Sequence, residues 1–356
     1  MSNHLLLKCV AFIKRRTQRA HLVPSLCALA MLGAQGPARA LSFNVTFDPR
    51  SATPPAGFAA SFAAVLQFYE STYADPITIN LNVGWGVVNG IPLSTFALGQ
   101  SLTNAQTVGY GALKAALAGD AKTAADATAV ANLPATDPTP GTNFSLSNAE
   151  AKALGLLAAN ATGLDGWVGF NSRAEYFFDP AQVGTGAQFD FTAIASHEVT
   201  EVMGRYGFGQ NGSAGDSPID LFRYYTASGQ HDFAPARGVD NYFSADGGTT
   251  RTNSFNVDPA GGDLSDWAGA SPDAYNAAPS PRTALPTTAG DLLLMDVLGY
   301  DQIAAVPEAP TAALLGVGIA GLLAWRRHRG GTPSGQLGAN SAARLRGADS
   351  DHFSRE

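Results

Sequence analysis

The chain has 356 residues, a formal net charge of −7 and two cysteines, Cys9 and Cys27. Residues 41–305 contain 25 acidic residues, 10 basic residues and neither cysteine, which gives this segment a formal charge of −15. The strong negative charge of residues 41–305 argues against nucleic acid as a partner, because phosphates repel carboxylates. The lack of cysteine excludes disulfides and thiolate metal ligands from it.

Residues 1–40 have the pattern of a signal peptide. A basic start precedes an apolar stretch at 22–34, and Ala38-Arg39-Ala40 offers a small-x-small cleavage site. The apolar stretch is short for a membrane span, which makes a retained anchor the weaker alternative. We therefore expect export through the inner membrane, with Leu41 as the first residue of the mature chain.

In the first half of residues 41–305, predicted helices and strands alternate. Apolar periodicity predicts a helix at 57–73 and a strand at 76–83. An alanine-rich composition predicts a helix at 107–131, a capping box predicts one at 147–160, and a turn followed by a strand is predicted at 165–170. A further helix is predicted to start after Asp190, a suitable N-cap residue. These elements indicate an α+β domain.

The helix after Asp190 carries the sequence His197-Glu198-Val199-Thr200-Glu201. Residues four apart share one helix face, so His197 and Glu201 could hold one metal ion. Glu198 is then placed to act as general base toward a metal-activated water. The common zinc-protease motif has a second histidine where this chain has Glu201. The alternative is a helix whose acids face solvent.

A catalytic zinc usually has three protein ligands and one water. His231 is the only other histidine in residues 41–305 and would complete a His₂Glu set. Asp220 and Asp216 are alternative third ligands, although a His-Glu-Asp set is harder and binds zinc less tightly. Three candidates for stabilising an oxyanion stay open: Tyr224, Tyr242 and Arg223.

Residues 208–290 are rich in Gly, Asp, Ser and Pro, which predicts a loop-dominated lobe with short strands. A short helix at 290–300 follows. Oxygen-rich turns at 246–248, 261–263 and Asp266 would suit Ca²⁺, but ordinary Asx-type turns are the favoured interpretation. An active cleft is expected between two unequal lobes.

Residues 306–330 combine a short motif, an apolar stretch and a basic cluster. The motif is Val306-Pro307-Glu308-Ala309-Pro310, the apolar stretch is 311–325, and the cluster is Arg326-Arg327-His328-Arg329. This order resembles the PEP-CTERM sorting signal of Gram-negative bacteria. The resemblance implies a transmembrane segment in the inner membrane, cleavage by an exosortase, and delivery to the cell surface or medium. A plain single-pass anchor is the alternative, and residues 331–356 are predicted to be a disordered polar tail.

Four blocks carry a resemblance to a family: 197–205, 220–224, 242–249 and 295–300. With them, the chain resembles secreted zinc metalloproteases with PEP-CTERM tails, which are similar to matrixin-like metzincins. The resemblance implies a zincin-like α+β domain in residues 41–305, with an active-site helix, an irregular loop-rich C-terminal lobe, bound Zn²⁺ and a protein or peptide substrate.

The chain departs from that family at two ligand positions. Glu201 stands for the second histidine, and Gly207 occupies the position of the third. Met295 is a core residue or a Met-turn residue. The competing hypothesis is a non-catalytic extracellular surface or matrix protein on a degenerate zincin scaffold, binding calcium or polysaccharide. A hydrolase of another bond type would fit the same metal site.

Overall fold

The computed structural model describes residues 41–207 and 216–303. The chain divides into two units, Met1–Ile303 and Ala304–Glu356, and every described residue belongs to the first. The predicted signal peptide, sorting signal with its membrane segment, and polar tail lie outside the described residues. No helix among the described residues is both long enough and apolar enough to span a membrane.

The architecture is α+β, as predicted, with several small sheets. The strands are β1 Ser42–Phe47, β2 Thr78–Trp85, β3 Val87–Val88, β4 Ile91–Pro92, β5 Gly99–Thr103, β6 Ala105–Val108, β7 Phe144–Ser147, β8 Gly166–Phe170, β9 Tyr176–Phe177, β10 Phe189–Asp190, β11 Arg223–Tyr225, β12 Asn241–Phe243 and β13 Asn253–Ser254. The α-helices are α1 Phe58–Thr72, α2 Tyr110–Asp120, α3 Ala124–Ala131, α4 Asn148–Ala153, α5 Phe191–Val202 and α6 Ala289–Val297. A 3-10 helix spans Pro218–Phe222.

The largest sheet has the strand order β1-β2-β8-β5. Strands β1, β2 and β8 are parallel, whereas β5 pairs antiparallel with β8 and is the last strand of the sheet within the described residues. Apolar side chains of β2 such as Leu81 and Val83 are fully buried. Helices α1 and α5 pack against each other, and α5 also packs on β5 and β8. The sheet therefore holds α5 in the centre of the domain.

An aromatic cluster fixes the start of α5. The ring of Phe191 lies 4.9 Å from that of Phe170 on β8 and 5.1 Å from that of Phe58 on α1. Asp190 caps the helix, since its Oδ1 accepts hydrogen bonds from the backbone N–H groups of Thr192 and Ala193. These contacts confirm the predicted helix start and set its rotation relative to the sheet.

The stretch 107–131 is mostly helical, as predicted, but it is interrupted and divided among β6, α2 and α3. Thr123 starts α3 through a capping box with Asp126. Its hydroxyl also donates to Asp296 Oδ2 at 2.8 Å. Alanine-rich sequence favours a continuous helix, but the cap and the contact with α6 turn the chain instead.

The predicted helix at 147–160 begins as expected but is shorter. Ser147 accepts a hydrogen bond from the backbone N–H of Glu150 and so caps α4. The helix ends at Ala153, and Gly155 then adopts a left-handed conformation with φ of 69°. Glycine takes this conformation at no steric cost, which ends the helix after fewer than two turns.

The C-terminal part of the described chain is loop-rich, as predicted. Strands β11, β12 and β13 form a small antiparallel sheet. Buried Arg223 binds Asp220 at 3.1 Å, and its guanidinium lies 3.8 Å from the centre of the Phe255 ring. Met295 on α6 is fully buried in the core, which agrees with the core interpretation of this residue. Tyr300 donates to the carbonyl of Met203 and so joins the end of the described chain to the end of α5.

Candidate metal centre

Three side chains converge beside α5: His197, Glu201 and Asp266. Each offers one donor atom, and the three donor atoms lie within 4.8 Å of one another. Nε2 of His197 is 3.6 Å from Oε1 of Glu201 and 3.3 Å from Oδ1 of Asp266. The helix supplies the first two residues on one face, and the loop between β13 and α6 supplies the third. This largely buried group could hold a metal ion.

The orientation of His197 suits a metal ligand. Its Nδ1 lies 3.0 Å from the carbonyl oxygen of Ala274. A carbonyl can only accept, so we assign the ring proton to Nδ1, which turns the lone pair of Nε2 toward the two carboxylates. A backbone carbonyl on the far ring nitrogen is the usual support of a metal-binding histidine. The backbone N–H of Ala274 is itself held by the carbonyl of Pro286 at 3.0 Å.

The charge around His197 favours a cation at Nε2. Burial lowers the pKa of His197, and Arg205 lowers it further, but Asp266 and Glu201 together raise it well above its ordinary value. Without a metal, the imidazole therefore takes up a proton between the two carboxylates. A metal ion would replace that proton, as metal binding to histidine generally does.

One oxygen of Glu201 accepts a hydrogen bond and the other does not. Its Oε2 accepts a hydrogen bond from Ser101 on β5 at 2.5 Å. Its Oε1 is buried and has no hydrogen-bond partner. A buried carboxylate oxygen without a partner is costly. Since this oxygen faces Nε2 of His197, a metal ion between them would satisfy both.

Arg205 brings a positive charge into the group. Its side chain is fully buried, its Nη1 donates to Asp266 Oδ1 at 2.7 Å, and its Nη2 lies 3.6 Å from Oε1 of Glu201. The guanidinium also lies 4.5 Å from the centre of the Tyr275 ring. Burial raises the pKa of Asp266, but His197 and Arg205 outweigh it and lower this pKa below its ordinary value. Asp266 is therefore ionised and ready to bind a cation.

Glu198 lies beside the three donor residues without being one of them. Its side chain is buried and packs against Gly99 of β5. Burial raises the pKa of Glu198 well above its ordinary value, and the carboxylate of Glu201 raises it further. A nearby metal cation would lower this pKa again, because it favours the charged form. Glu198 could then exchange protons with a water at the site.

We expect Gly99→Ala to displace Glu198. A methyl group at Gly99 would lie 2.4 Å from Oε1 of Glu198, which is closer than atoms can approach. The flexible carboxylate would rotate away at a stability cost of about 1 kcal/mol. If Glu198 acts in catalysis, this shift should reduce kcat about 10²-fold. Gly111→Ala is the matched control, since no atom lies within 4 Å of that position. Equal kcat in both variants would contradict the role of this contact.

The three residues predicted as third ligand have other surroundings, and none belongs to the group around His197. The ring of His231 lies 4.3 Å from that of Tyr224. Burial lowers the pKa of His231, whose Nε2 has no hydrogen-bond partner. Asp220 binds Arg223. Burial raises the pKa of Asp216 to about 6.

The predicted oxyanion residues also have structural contacts. Arg223 forms an ion pair with Asp220, and its Nη1 donates to the carbonyl of Leu264 at 2.8 Å. Tyr242 donates to the carbonyl of Gly248 at 2.7 Å. These contacts explain why both side chains are buried in the C-terminal part of the domain.

Two aspartates of the predicted oxygen-rich turns, Asp246 and Asp266, have different surroundings in the structure. Asp246 accepts hydrogen bonds from Ser244 and Thr250, which is the geometry of a polar turn. Asp266, in contrast, joins the group around His197. Sequence reasoning marked Asp266 only as a turn residue and overlooked Ser101, because neither lies near the helix in sequence.

Comparisons with protein-family models, curated proteins and solved structures gave no match. Any function must therefore be argued from the chemistry of the site. That chemistry is one imidazole and two carboxylates converging beside α5, with Glu198 next to them and Arg205 balancing their charge.

Proposed function

We propose that this chain is a zinc-dependent peptidase with a zincin-like domain. The observation that carries the proposal is the convergence of His197, Glu201 and Asp266. The far ring nitrogen of His197 is held by a backbone carbonyl, and one oxygen of Glu201 has no hydrogen bond. The residues fit a divalent metal, because imidazole and carboxylate are both common zinc ligands.

The donor set is harder than a His₂Glu set, and Arg205 compensates in part. Two carboxylates hold more negative charge at the metal, which weakens its action on a bound water. The guanidinium 2.7 Å from Asp266 withdraws some of that charge. We therefore place Arg205 as a positioning residue that keeps Asp266 ionised and directed toward His197.

When bound, zinc would polarise the scissile carbonyl and acidify a water. In the proposed reaction, Glu198 accepts a proton from the attacking water and delivers it to the nitrogen of the leaving amine. Its burial beside Gly99 keeps most bulk water away from the carboxylate.

An extended peptide is the substrate that the neighbouring strand suits best. Strand β5 contacts α5 along its length, with Gly99 beside Glu198 and Ser101 bound to Glu201. It is also the last strand of its sheet within the described residues. Backbone groups at a sheet edge can pair with an added strand, which would lay a peptide alongside the metal centre.

The expected destination of the protein adds to this proposal. Residues 1–40 and 306–330 predict export, exosortase processing and a stage anchored in the inner membrane. A peptidase delivered to the cell surface or medium would meet protein substrates there.

The test is proteolysis of an unfolded protein by the purified full chain. We expect cleavage that a metal chelator stops and that added Zn²⁺ restores, while inhibitors of serine and cysteine peptidases have no effect. Cleavage that persists after complete metal removal would overturn the proposal.

One observation favours a second candidate, a non-catalytic surface or matrix protein. Arg205 already supplies the carboxylates of Asp266 and Glu201 with a cation from the chain itself. On this account the group is a buried ion-pair network that stabilises the scaffold. A chain that carries no transition metal and cleaves no protein or peptide would favour the second candidate.

A further inference from the structure

The loop between β4 and β5 carries an aromatic side chain that the fold does not use. Phe96 in this loop is 95% exposed, the largest value for a large apolar side chain among the described residues. Burying a phenylalanine side chain typically stabilises a protein by about 1.5–3 kcal/mol, and Phe96 gives the domain almost none of this. Single exposed apolar residues are common, so the surroundings of Phe96 decide what it can do.

The loop around Phe96 is anchored on both sides of that residue. Nδ2 of Asn171 donates to the carbonyl oxygen of Ser94 at 3.1 Å and to that of Ala97 at 2.7 Å. The backbone N–H of Asn171 donates to the carbonyl of Leu98 at 2.9 Å. Because Asn171 is buried, these hydrogen bonds are shielded from water. They hold the backbone of Phe96 in place while its ring projects into solvent.

Strand β5 starts three residues after Phe96 and lies beside the candidate metal centre. Gly99 at its start packs against Glu198, and Ser101 donates to Glu201. Three residues span at most about 11 Å, so the backbone of Phe96 lies within that distance of Gly99. An extended peptide covers such a distance with three or four residues. A peptide that reaches Glu198 can therefore also reach Phe96.

The backbone groups on the open side of β5 can guide a peptide toward Phe96. The carbonyl of Leu98 and the N–H of Asn104, at the two ends of β5, both bond to backbone groups that flank β8. Backbone groups alternate in direction along a strand, so those of Gly99, Ser101 and Thr103 face away from β8. A strand added there would continue past the start of β5 to the loop.

The part of the chain that contains this loop and β5 is uncharged. Residues 76–113 include no acidic residue, no basic residue and no histidine, although residues 41–305 as a whole are strongly acidic. A charged peptide side chain brought against this stretch would lose hydration without gaining an ion-pair partner from it. The stretch therefore favours neutral, apolar peptide segments.

We propose that Phe96 is a specificity-determining residue that binds an apolar side chain of a peptide lying along β5. The inference rests on the proposed function, because β5 and Glu198 set the course of the peptide. The recognised residue lies within about four positions of the cleaved bond, as the reach from Gly99 requires. Its side chain covers the exposed ring, and an aromatic ring paired with an apolar side chain across strands is a stabilising contact.

The first test measures peptide binding without turnover. The full chain with Glu198→Gln is titrated with fluorescent neutral decapeptides of Ala, Ser and Gly that carry one Phe, moved one position at a time. We expect the Kd of the best peptide to rise about tenfold in a chain that also carries Phe96→Ala. Replacing the peptide Phe by Ala should have the same effect, and the two changes together should add little more, since both remove one contact.

Phe47→Ala is the matched control for this variant. Phe47 is 57% exposed and lies on β1, at the opposite end of the same sheet. Its loss should leave the Kd unchanged. Because the Phe96 ring is almost entirely exposed, Phe96→Ala should also unfold at the same Tm as the wild-type chain.

The second test reads the cleavage sites in an unfolded protein by mass spectrometry. The wild-type chain and Phe47→Ala should cut where one position within about four residues of the cleaved bond is enriched in apolar residues. Phe96→Ala should lose that enrichment.

The two tests separate this inference from the proposed function. A chain that binds the peptides through Phe96 but cleaves no protein would reject the peptidase and retain the role of Phe96. Cleavage with the same preference in the wild-type chain and Phe96→Ala would do the reverse. Equal Kd values in the presence and absence of the Phe96 ring would also overturn the inference. So would a dimer, or binding to phosphatidylglycerol vesicles, that Phe96→Ala abolishes while peptide binding is unchanged.

Discussion

Glu198→Gln should lower kcat by about 10²- to 10⁴-fold while the chain keeps its metal. The amide has nearly the shape of the carboxylate but cannot accept and return a proton. Metal binding should persist, because Glu198 is not one of the three donor residues. The measurement is kcat on a peptide substrate together with metal content. Glu175→Gln is the matched control, since Glu175 is exposed. A Glu198→Gln preparation free of wild-type enzyme that retained full kcat would remove Glu198 from the mechanism.

Lys152→Met should destabilise the domain by about 3–5 kcal/mol. Nζ of Lys152 binds Asp165 Oδ2 at 2.6 Å and the carbonyl of Thr78 at 2.8 Å, and both charged side chains are buried. Burial raises the pKa of Asp165 above its ordinary value in spite of its partner Lys152. Asp165 also accepts from the backbone N–H of Asn80 on β2, so the pair joins α4 to the main sheet.

Chemical denaturation of the Lys152→Met chain measures this loss. The double variant Lys152→Met with Asp165→Asn should recover part of it, because no uncompensated charge then remains. A Lys152→Met chain as stable as the wild type would show that the pair does not hold these elements together.

Sequence alone predicted those elements whose start or periodicity is set by residues within the element itself. Asp190 caps its own helix, and the apolar stripe of α1 is visible in its spacing. The break between α2 and α3 has a local part, the capping box of Thr123 with Asp126, and a distant part, the hydrogen bond from Thr123 to Asp296 far along the chain. An alanine-rich stretch gives no local sign of such a contact, so helix propensity alone predicted one helix.

In the candidate site too, sequence alone predicted the residues that lie close together along the chain and missed the one that does not. His197, Glu198 and Glu201 were evident because helix spacing alone places them together. Asp266 reaches the site from a loop without periodicity, and only the path of that loop decides its position. His231 is the only other imidazole in residues 41–305, but its ring lies against Tyr224 and outside the group around His197. A helix motif can therefore identify the ligands on the helix, whereas a ligand from a loop needs the fold.

Metal content of the purified full chain tests the central claim most directly. We expect one zinc per chain by mass spectrometry, lost in His197→Ala and in Asp266→Asn and retained in His231→Ala. Circular dichroism of each variant should confirm that it is folded. A folded Asp266→Asn chain that keeps its zinc, while His231→Ala loses it, would contradict the centre described here. A wild-type chain without any transition metal would contradict it as well.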